Sequence, residues 1–158
     1  MRTILSCLII FCIFAVSFAE ERGTSTSSPK DRCPVCGMFV SPFVDWNATI
    51  EFADSTQAIF DGPKCMFKYY LNIKKYNRSE SRAEVTAIHV KDYYSKTSID
   101  AHKAFFVIWS DMYGPMGHEP IPFEKEADAK RFLEDHKGRK ILRFKDITPK
   151  VILSLDNP

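Results

Sequence analysis

The chain has 158 residues, with 22 lysines and arginines against 20 aspartates and glutamates, which gives a formal net charge of +2. This small excess of mixed charges provides no electrostatic basis for binding nucleic acid. The length is enough for one domain or two small ones, and a core of that size forms without disulfide bonds.

The N-terminus has the features of a secretory signal peptide. The run Ile4–Phe18 is almost entirely apolar, and Ser17–Ala19 fits the small-x-small cleavage pattern. We therefore predict that residues 1–19 are a cleaved signal peptide. Neither Cys7 nor Cys12 lies in a clear lipid-attachment motif, so the sequence does not support membrane anchoring.

The rest of the chain predicts two similar units of class α+β. Residues 20–31 are polar and lack large apolar side chains, which indicates a flexible leader. The first unit, 32–95, is predicted to contain strands at 43–52 and 55–60, a helix from 63 to about 76, and a strand at 84–93. The second unit, 96–158, is predicted to contain strands at 104–109 and 121–123, a helix at 124–137 capped by Gly138, a strand at 140–144, and a short helix at 149–155. We expect two small ββαβ units packed as one compact protein.

Three cysteines remain after the predicted cleavage: Cys33, Cys36 and Cys65. An odd number in an oxidising compartment leaves at least one thiol outside any internal disulfide. An exposed free thiol is reactive in such a compartment. We therefore expect this thiol to be buried or occupied, and a metal ion is one occupant.

Two triplets share the order ligand, glycine, ligand: Cys36-Gly37-Met38 and Met116-Gly117-His118. In an extended segment, residues two positions apart point to the same side, so each triplet presents two ligands on one face. Thiolates and thioethers are soft ligands that favour Cu(I), and imidazole is compatible with it. We predict that the fold brings both triplets around one Cu(I) ion, with the ligands Cys36, Met38, Met116 and His118.

Three further residues are candidate ligands of the same ion: Cys33, Cys65 and Met112. Cys65 lies in the first turn of the predicted helix, where the helix dipole lowers the pKa of a thiol. Met112 is a substitute for Met116. Glu119 follows His118 directly and is expected to orient its imidazole. The remaining histidines, which we interpret as structural or solvated, are His89, His102 and His136.

The same residues allow other interpretations. Methionine usually fills protein cores, so Met38 and Met116 taken singly are expected in the interior. Cys33 and Cys36 could form the redox pair of a dithiol oxidoreductase, and these two with Cys65 and a histidine could hold a structural zinc ion. Copper is favoured because the other two functions leave both methionines unused. The sequence contains no hydrolase, phosphate-binding or metalloprotease motif, which predicts a binding protein and not an enzyme.

Taken together, the motifs resemble those of the NosL family. They are Cys33-Pro-Val-Cys-Gly-Met38, Phe60-Asp-Gly-Pro-Lys-Cys-Met66, and Met116-Gly-His118 before Pro122-Phe123. The resemblance implies a periplasmic Cu(I) metallochaperone of two ββαβ units that serves denitrification by delivering copper for assembly of the nitrous oxide reductase copper centre. It implies that reductase as the client enzyme and a separate copper donor as partners. It also implies the ligands Cys36, Met38, Met116 and His118, and many members carry a lipid-modified cysteine.

Overall fold

The computed structural model describes residues 28–77 and 84–156. Their strands are β1 (Ala48–Phe52), β2 (Gln57–Phe60), β3 (Val85–Lys91), β4 (Ser98–Asp100), β5 (Phe105–Ile108), β6 (Tyr113–Gly114), β7 (Gly117–His118), β8 (Ile121–Phe123) and β9 (Lys140–Arg143). Their α-helices are α1 (Pro63–Leu71), α2 (Ile73–Tyr76), α3 (Glu126–Asp135) and α4 (Pro149–Ser154). The predicted signal peptide and most of the predicted leader lie outside the described residues. Within the two described ranges, no helix is both long enough and apolar enough to cross a membrane.

The first four strands form an antiparallel sheet in the order β2-β1-β3-β4. Strand β1 lies inside this sheet, and four of its five residues are buried. The predicted strand at 43–52 begins only at Ala48, because residues 41–43 form a short 3-10 helix that contains Pro42. The turn between β1 and β2 lies at Ser55, whose φ of 64° is in the left-handed region, and the two strands form an antiparallel hairpin.

Helix α1 begins at Pro63, as predicted, and packs against β1, β2 and α4. The fixed φ of proline suits the first helical position, where the missing N–H has no partner to lose. Met66 and Phe67 on this helix are fully buried. The helix does not continue unbroken to Tyr76, because Asn72 has a non-helical φ of −135° and separates α1 from α2.

The second sheet is antiparallel in the order β8-β5-β9, and α3 packs against it. Gly138 does not have the left-handed conformation expected of a helix cap, because Lys137 takes that conformation with a φ of 53°. Instead, Gly138 allows a close approach. A Cβ there would lie 2.6 Å from Val107 Cγ1 on β5. Gly138 does follow the end of a helix, as predicted. Glycine is needed there because of the close packing against Val107 and not because of its backbone conformation.

Both sheets place their first strand between the second and third, as β2-β1-β3 and β8-β5-β9. This arrangement is compatible with two ββαβ units, and the class is α+β as predicted; the unit boundaries stay predictions. One large hydrophobic core, the main cluster, joins the two sheets, and Phe67 and Phe106 meet in it with ring centroids 5.3 Å apart. A smaller second cluster under α3 contains Val107, Ile121, Phe123, Ala129 and Phe132.

Candidate metal centre

The first cysteine motif lies in a loop that closes on its own backbone. Arg32 and Phe39 form an isolated antiparallel bridge, and we call residues 32–39 the thiol loop. Within it, the Cys33 N–H donates to the Met38 carbonyl at 2.8 Å, and the Gly37 N–H donates to the Cys33 carbonyl at 2.9 Å. Gly37 has a φ of 78°. The segment from Cys33 to Met38 is therefore a turn, and the expectation of an extended triplet here is wrong.

The loop brings three thiols together beside the start of α1. Cys33 and Cys65 are buried, and Cys36 is half-buried. Asp61, which lies between β2 and α1, is fully buried as well. The three sulfur atoms and a carboxylate oxygen of Asp61 all lie within 4.8 Å of one another, which is close enough to hold one metal ion. We call these four residues the thiol cluster.

Hydrogen bonds and burial give the three thiols different acidities. The hydrogen bond with Cys65 is the main cause that lowers the pKa of Cys33 to about 7, and the same bond raises the pKa of Cys65. Burial is the main cause that raises the pKa of Cys36 to about 12. Cys33 is therefore the most acidic of the three thiols. A metal ion that uses the other two sulfurs as thiolates must displace their protons.

Asp61 has one carboxylate oxygen with a partner and one without. The Cys36 thiol donates to Asp61 Oδ2 at 3.3 Å. Asp61 Oδ1 is buried, and no group in the described part of the chain makes a hydrogen bond to it. A buried polar atom without a partner costs free energy, and a cation in the cluster would remove that cost. Asp61 was not among the predicted ligands, although it lies four residues before Cys65 at the helix start.

The second triplet lies in a short hairpin formed by β6 and β7, residues 113–118, which we call the ligand hairpin. Tyr113 pairs with His118, and Gly114 pairs with Gly117, so Met116 lies at the tip. Gly117 has a φ of 81°. His118 Nδ1 lies 3.1 Å from the Ser110 carbonyl. A carbonyl can only accept, so this hydrogen bond places a proton on Nδ1 and leaves Nε2 of a neutral imidazole available to a metal.

Glu119 joins the ligand hairpin to the helix that carries Cys65. Its Oε2 accepts the Lys64 N–H at 2.6 Å, and its Oε1 accepts the Met116 N–H at 3.2 Å. The expectation that Glu119 orients the imidazole of His118 is wrong, because the Ser110 carbonyl makes that contact. Burial raises the pKa of Glu119 to about 7.

The other candidate residues lie as follows. Met38 and Met116 are both half-buried. Cys36 and Met116 pack against the main cluster, whereas Met112 packs against the second cluster. The fold thus brings together the three cysteines Cys33, Cys36 and Cys65. The backbone of Met116 is hydrogen-bonded near the same helix start. The remaining histidines contact other groups: His89 faces Glu51, His102 packs on Phe144, and His136 contacts Asp111 and Phe132.

Comparison with known proteins agrees with this fold. A family model described as NosL matches residues 24–152. The chain is 26% identical to a protein of Stutzerimonas stutzeri named copper-binding lipoprotein NosL, over 92% of this chain and 78% of that protein. Its fold resembles the crystal structure of the copper chaperone NosL from Shewanella denitrificans, with a TM-score of 0.69, 23% identity, and coverage of 81% of this chain and 97% of that chain. The solution structure of apo-NosL from Achromobacter cycloclastes also matches, with a TM-score of 0.43, 26% identity, and coverage of 66% and 87%.

Proposed function

The chain belongs to the NosL family, and on that premise we propose that it is a periplasmic Cu(I) metallochaperone, not an enzyme, that delivers copper for assembly of the nitrous oxide reductase copper centre. One relative is named a copper-binding lipoprotein, and a protein of the same fold is described as a copper chaperone. The observation that carries the proposal is the thiol cluster at the start of α1, to which Glu119 attaches the ligand hairpin. Three thiols thereby lie at one helix end, and the backbone of Met116 is hydrogen-bonded to Lys64 and Glu119 beside them.

We assign the copper ligands as Cys36, Met38, Met116 and His118. Cys36 is the most accessible of the three thiols, and it packs against the same core as Met116. His118 offers Nε2, because its Nδ1 is engaged by the Ser110 carbonyl. Cys33 and Cys65 are further candidates within reach of Cys36, whereas the packing of Met112 in the second cluster favours Met116 over it.

This ligand set suits a cargo that must leave again. A single thiolate neutralises the charge of Cu(I), and the thioethers and the imidazole are neutral ligands that exchange readily. Copper binding replaces the proton of the Cys36 thiol, and Asp61 Oδ2, 3.3 Å away, already accepts that proton in a hydrogen bond. The partners in this exchange are a copper donor and the client enzyme, and soft ligands of the client would replace those of this chain one at a time.

The proposal is tested by anaerobic titration of the reduced mature protein with Cu(I) against a competing chelator. Cys36→Ser and Met116→Leu variants are titrated beside it, with zinc as the control metal. We expect one tightly bound Cu(I) per chain, weaker binding in both variants, and much weaker competition by zinc. Delivery is tested separately in cells that produce Cys36→Ser, by measuring the copper content of the purified reductase.

A structural zinc site is the second candidate function, and one observation favours it. Three thiols and a carboxylate form the complete four-ligand set of a closed zinc site, and they lie within 4.8 Å of one another. In the described residues Asp61, and not a histidine, completes this set. Tight zinc binding that is unaffected by Met116→Leu would identify this function.

The geometry disfavours a dithiol oxidoreductase. A redox-active cysteine needs both a lowered pKa and access to its substrate. Cys33 has the lowered pKa but is 1% exposed, whereas the more accessible Cys36 has a pKa of about 12. We expect both thiols of the native protein to be alkylated far more slowly than those of the unfolded chain.

A further inference from the structure

Lys64 is a lysine in the first turn of α1 whose side chain is almost completely buried, at 1% exposure. Burying an ammonium group is costly unless it is paired and hydrogen-bonded. Its Nζ donates to the backbone carbonyl of Met116 and lies 3.0 Å from Asp156 Oδ1. The charge of Lys64 is therefore held between the C-terminal end of the chain's last helix and the tip of the ligand hairpin.

Glu119 binds the other backbone polar group of the same residue, Met116. It is 1% exposed, and it bonds the Met116 N–H with one oxygen and the Lys64 N–H with the other. Both backbone polar groups of Met116 are thus bound by the buried pair Lys64 and Glu119. Two glycines allow this approach: a Cβ at Gly62 would lie 3.0 Å from Glu119 Oε1, and one at Gly114 would lie 2.6 Å from Glu119 Cγ.

The ligand hairpin needs such support because it is very short. It contains two residue pairs, and an isolated two-stranded hairpin is at best marginally stable in water. Hydrogen bonds to a helix start fix the position of Met116 relative to Cys65, the residue after Lys64. A ligand displaced by about 1 Å binds a metal poorly, so this support bears directly on copper affinity.

We propose that Lys64 and Glu119 form a clamp that positions Met116 as a copper ligand. They are positioning residues, because they hold the backbone of Met116 and not the metal. The inference rests on the proposed function, which supplies Met116 as a ligand. The sign of the effect separates positioning from simple electrostatics. Removal of the Lys64 charge alone would strengthen binding of a cation, whereas loss of positioning weakens it.

The test compares Lys64→Met with Lys68→Met in anaerobic Cu(I) titrations against a competing chelator. Lys68 is a matched control, because its Nζ also lies 3.0 Å from Asp156 but makes no hydrogen bond or ion pair with the ligand hairpin in the described part of the chain. We expect about a 10-fold loss of Cu(I) affinity in Lys64→Met, in the range typical of groups that orient metal ligands, and less than a two-fold change in Lys68→Met. An unchanged or higher affinity in Lys64→Met overturns the clamp.

A double-mutant cycle with Met116→Leu distinguishes positioning from a general loss of structure. If Lys64 acts through Met116, then Lys64→Met weakens Cu(I) binding no further in the Met116→Leu background. A second loss of equal size overturns the clamp. If Met116→Leu alone leaves Cu(I) affinity unchanged, the ligand assignment of the proposed function fails first. If Met116→Leu weakens binding but Lys64→Met does not, only the clamp fails.

Glu119→Gln keeps the test decisive if Lys64→Met does not fold. Glutamine has the same shape, but its amide nitrogen cannot accept a hydrogen bond, so one of the two bonds to Lys64 and Met116 is lost. We expect several-fold weaker Cu(I) binding from this variant as well. An affinity equal to that of the original protein overturns the clamp.

Discussion

The thiol loop and the ligand hairpin each hold two proposed ligands in place, but different contacts stabilise the two segments. Each carries a proposed ligand on either side of a glycine with positive φ, 78° at Gly37 and 81° at Gly117. The thiol loop closes with its own backbone hydrogen bonds and delivers its sulfurs to a buried cluster. The ligand hairpin has two residue pairs and depends on buried side chains from other segments. The proposed ligands Cys36 and Met38 thus lie in a segment that closes on itself, while Met116 and His118 lie on an element that other segments hold in place.

The largest expected effect compares how much the thiol loop and the ligand hairpin each contribute to Cu(I) affinity. We expect Cys36→Ser to weaken Cu(I) binding about 1000-fold, or ~4 kcal/mol, because it removes the charged soft ligand. We expect His118→Ala to weaken it only about 10-fold, or ~1.4 kcal/mol, because it removes one neutral ligand. Chelator competition measures both, with His102→Ala as control, since His102 packs on the ring of Phe144 and is not a proposed ligand. Equal losses in the two variants would show that the segments contribute alike.

The next effect concerns the buried carboxyl that holds the ligand hairpin. Burial raises the pKa of Glu119 from its usual 4.5 to about 7. Between these pH values the native protein holds a proton on Glu119 that the unfolded chain has released, so the unfolded state binds fewer protons and stability falls as pH rises. The free energy of unfolding should drop by about 3 kcal/mol from pH 4.5 to 7 through this group alone.

Urea denaturation of the metal-free protein at several pH values measures this slope. The slope should largely vanish in Glu119→Gln, which cannot titrate, and should remain in Glu126→Gln, since Glu126 is exposed on α3. The lowered pKa of Cys33, about 7, adds stability only above that pH and leaves the window clear. A slope that persists in Glu119→Gln would mean that the carboxyl is ionised throughout.

Most of the fold was predictable because its elements have strong local signals. Helix α1 begins at Pro63, as predicted, and the apolar run at 104–109 contains β5. The strands that the sequence did not predict are very short. Strands β4, β6 and β7 are two or three residues long, and such short strands form only because the tertiary structure supplies their partners. The break at Asn72 likewise has no proline or glycine to mark it.

The residue types of the candidate site could be predicted from the sequence, but the contacts between those residues could not. The cysteines and the second triplet could be found because soft ligands are uncommon and were grouped in the sequence. Asp61 and Lys64 could not, because a charged residue beside a helix start is ordinarily solvated, and only the fold reveals that both are buried. Glu119 was noticed for its neighbour His118, yet its contacts run to Lys64 and Met116.

A smaller effect tests how closely the ligand hairpin is packed. A Cβ at Gly114 would lie 2.6 Å from Glu119 Cγ and 3.0 Å from the ring of Trp46. Gly114→Ala must displace either the buried Glu119 or the partly buried Trp46, so we expect it to destabilise the metal-free protein by about 2 kcal/mol. Urea denaturation provides the measurement, and Trp46 fluorescence should report the displacement. A loss below ~0.5 kcal/mol would show that the hairpin moves aside freely.

The smallest effect tests the one feature that the thiol loop and the ligand hairpin share. A Cβ at Gly37 or Gly117 would meet nothing within 4 Å, so the cost of alanine there is the left-handed backbone alone. We expect Gly37→Ala and Gly117→Ala each to lower the free energy of unfolding by about 1 kcal/mol, and the corresponding asparagine variants to lower it less, since asparagine tolerates this conformation. Urea denaturation of the metal-free variants measures all four. A much smaller loss of unfolding free energy at Gly117 than at Gly37 would mean that the ligand hairpin leaves the left-handed conformation when the metal is absent. The thiol loop would then keep that conformation, because its own hydrogen bonds close it.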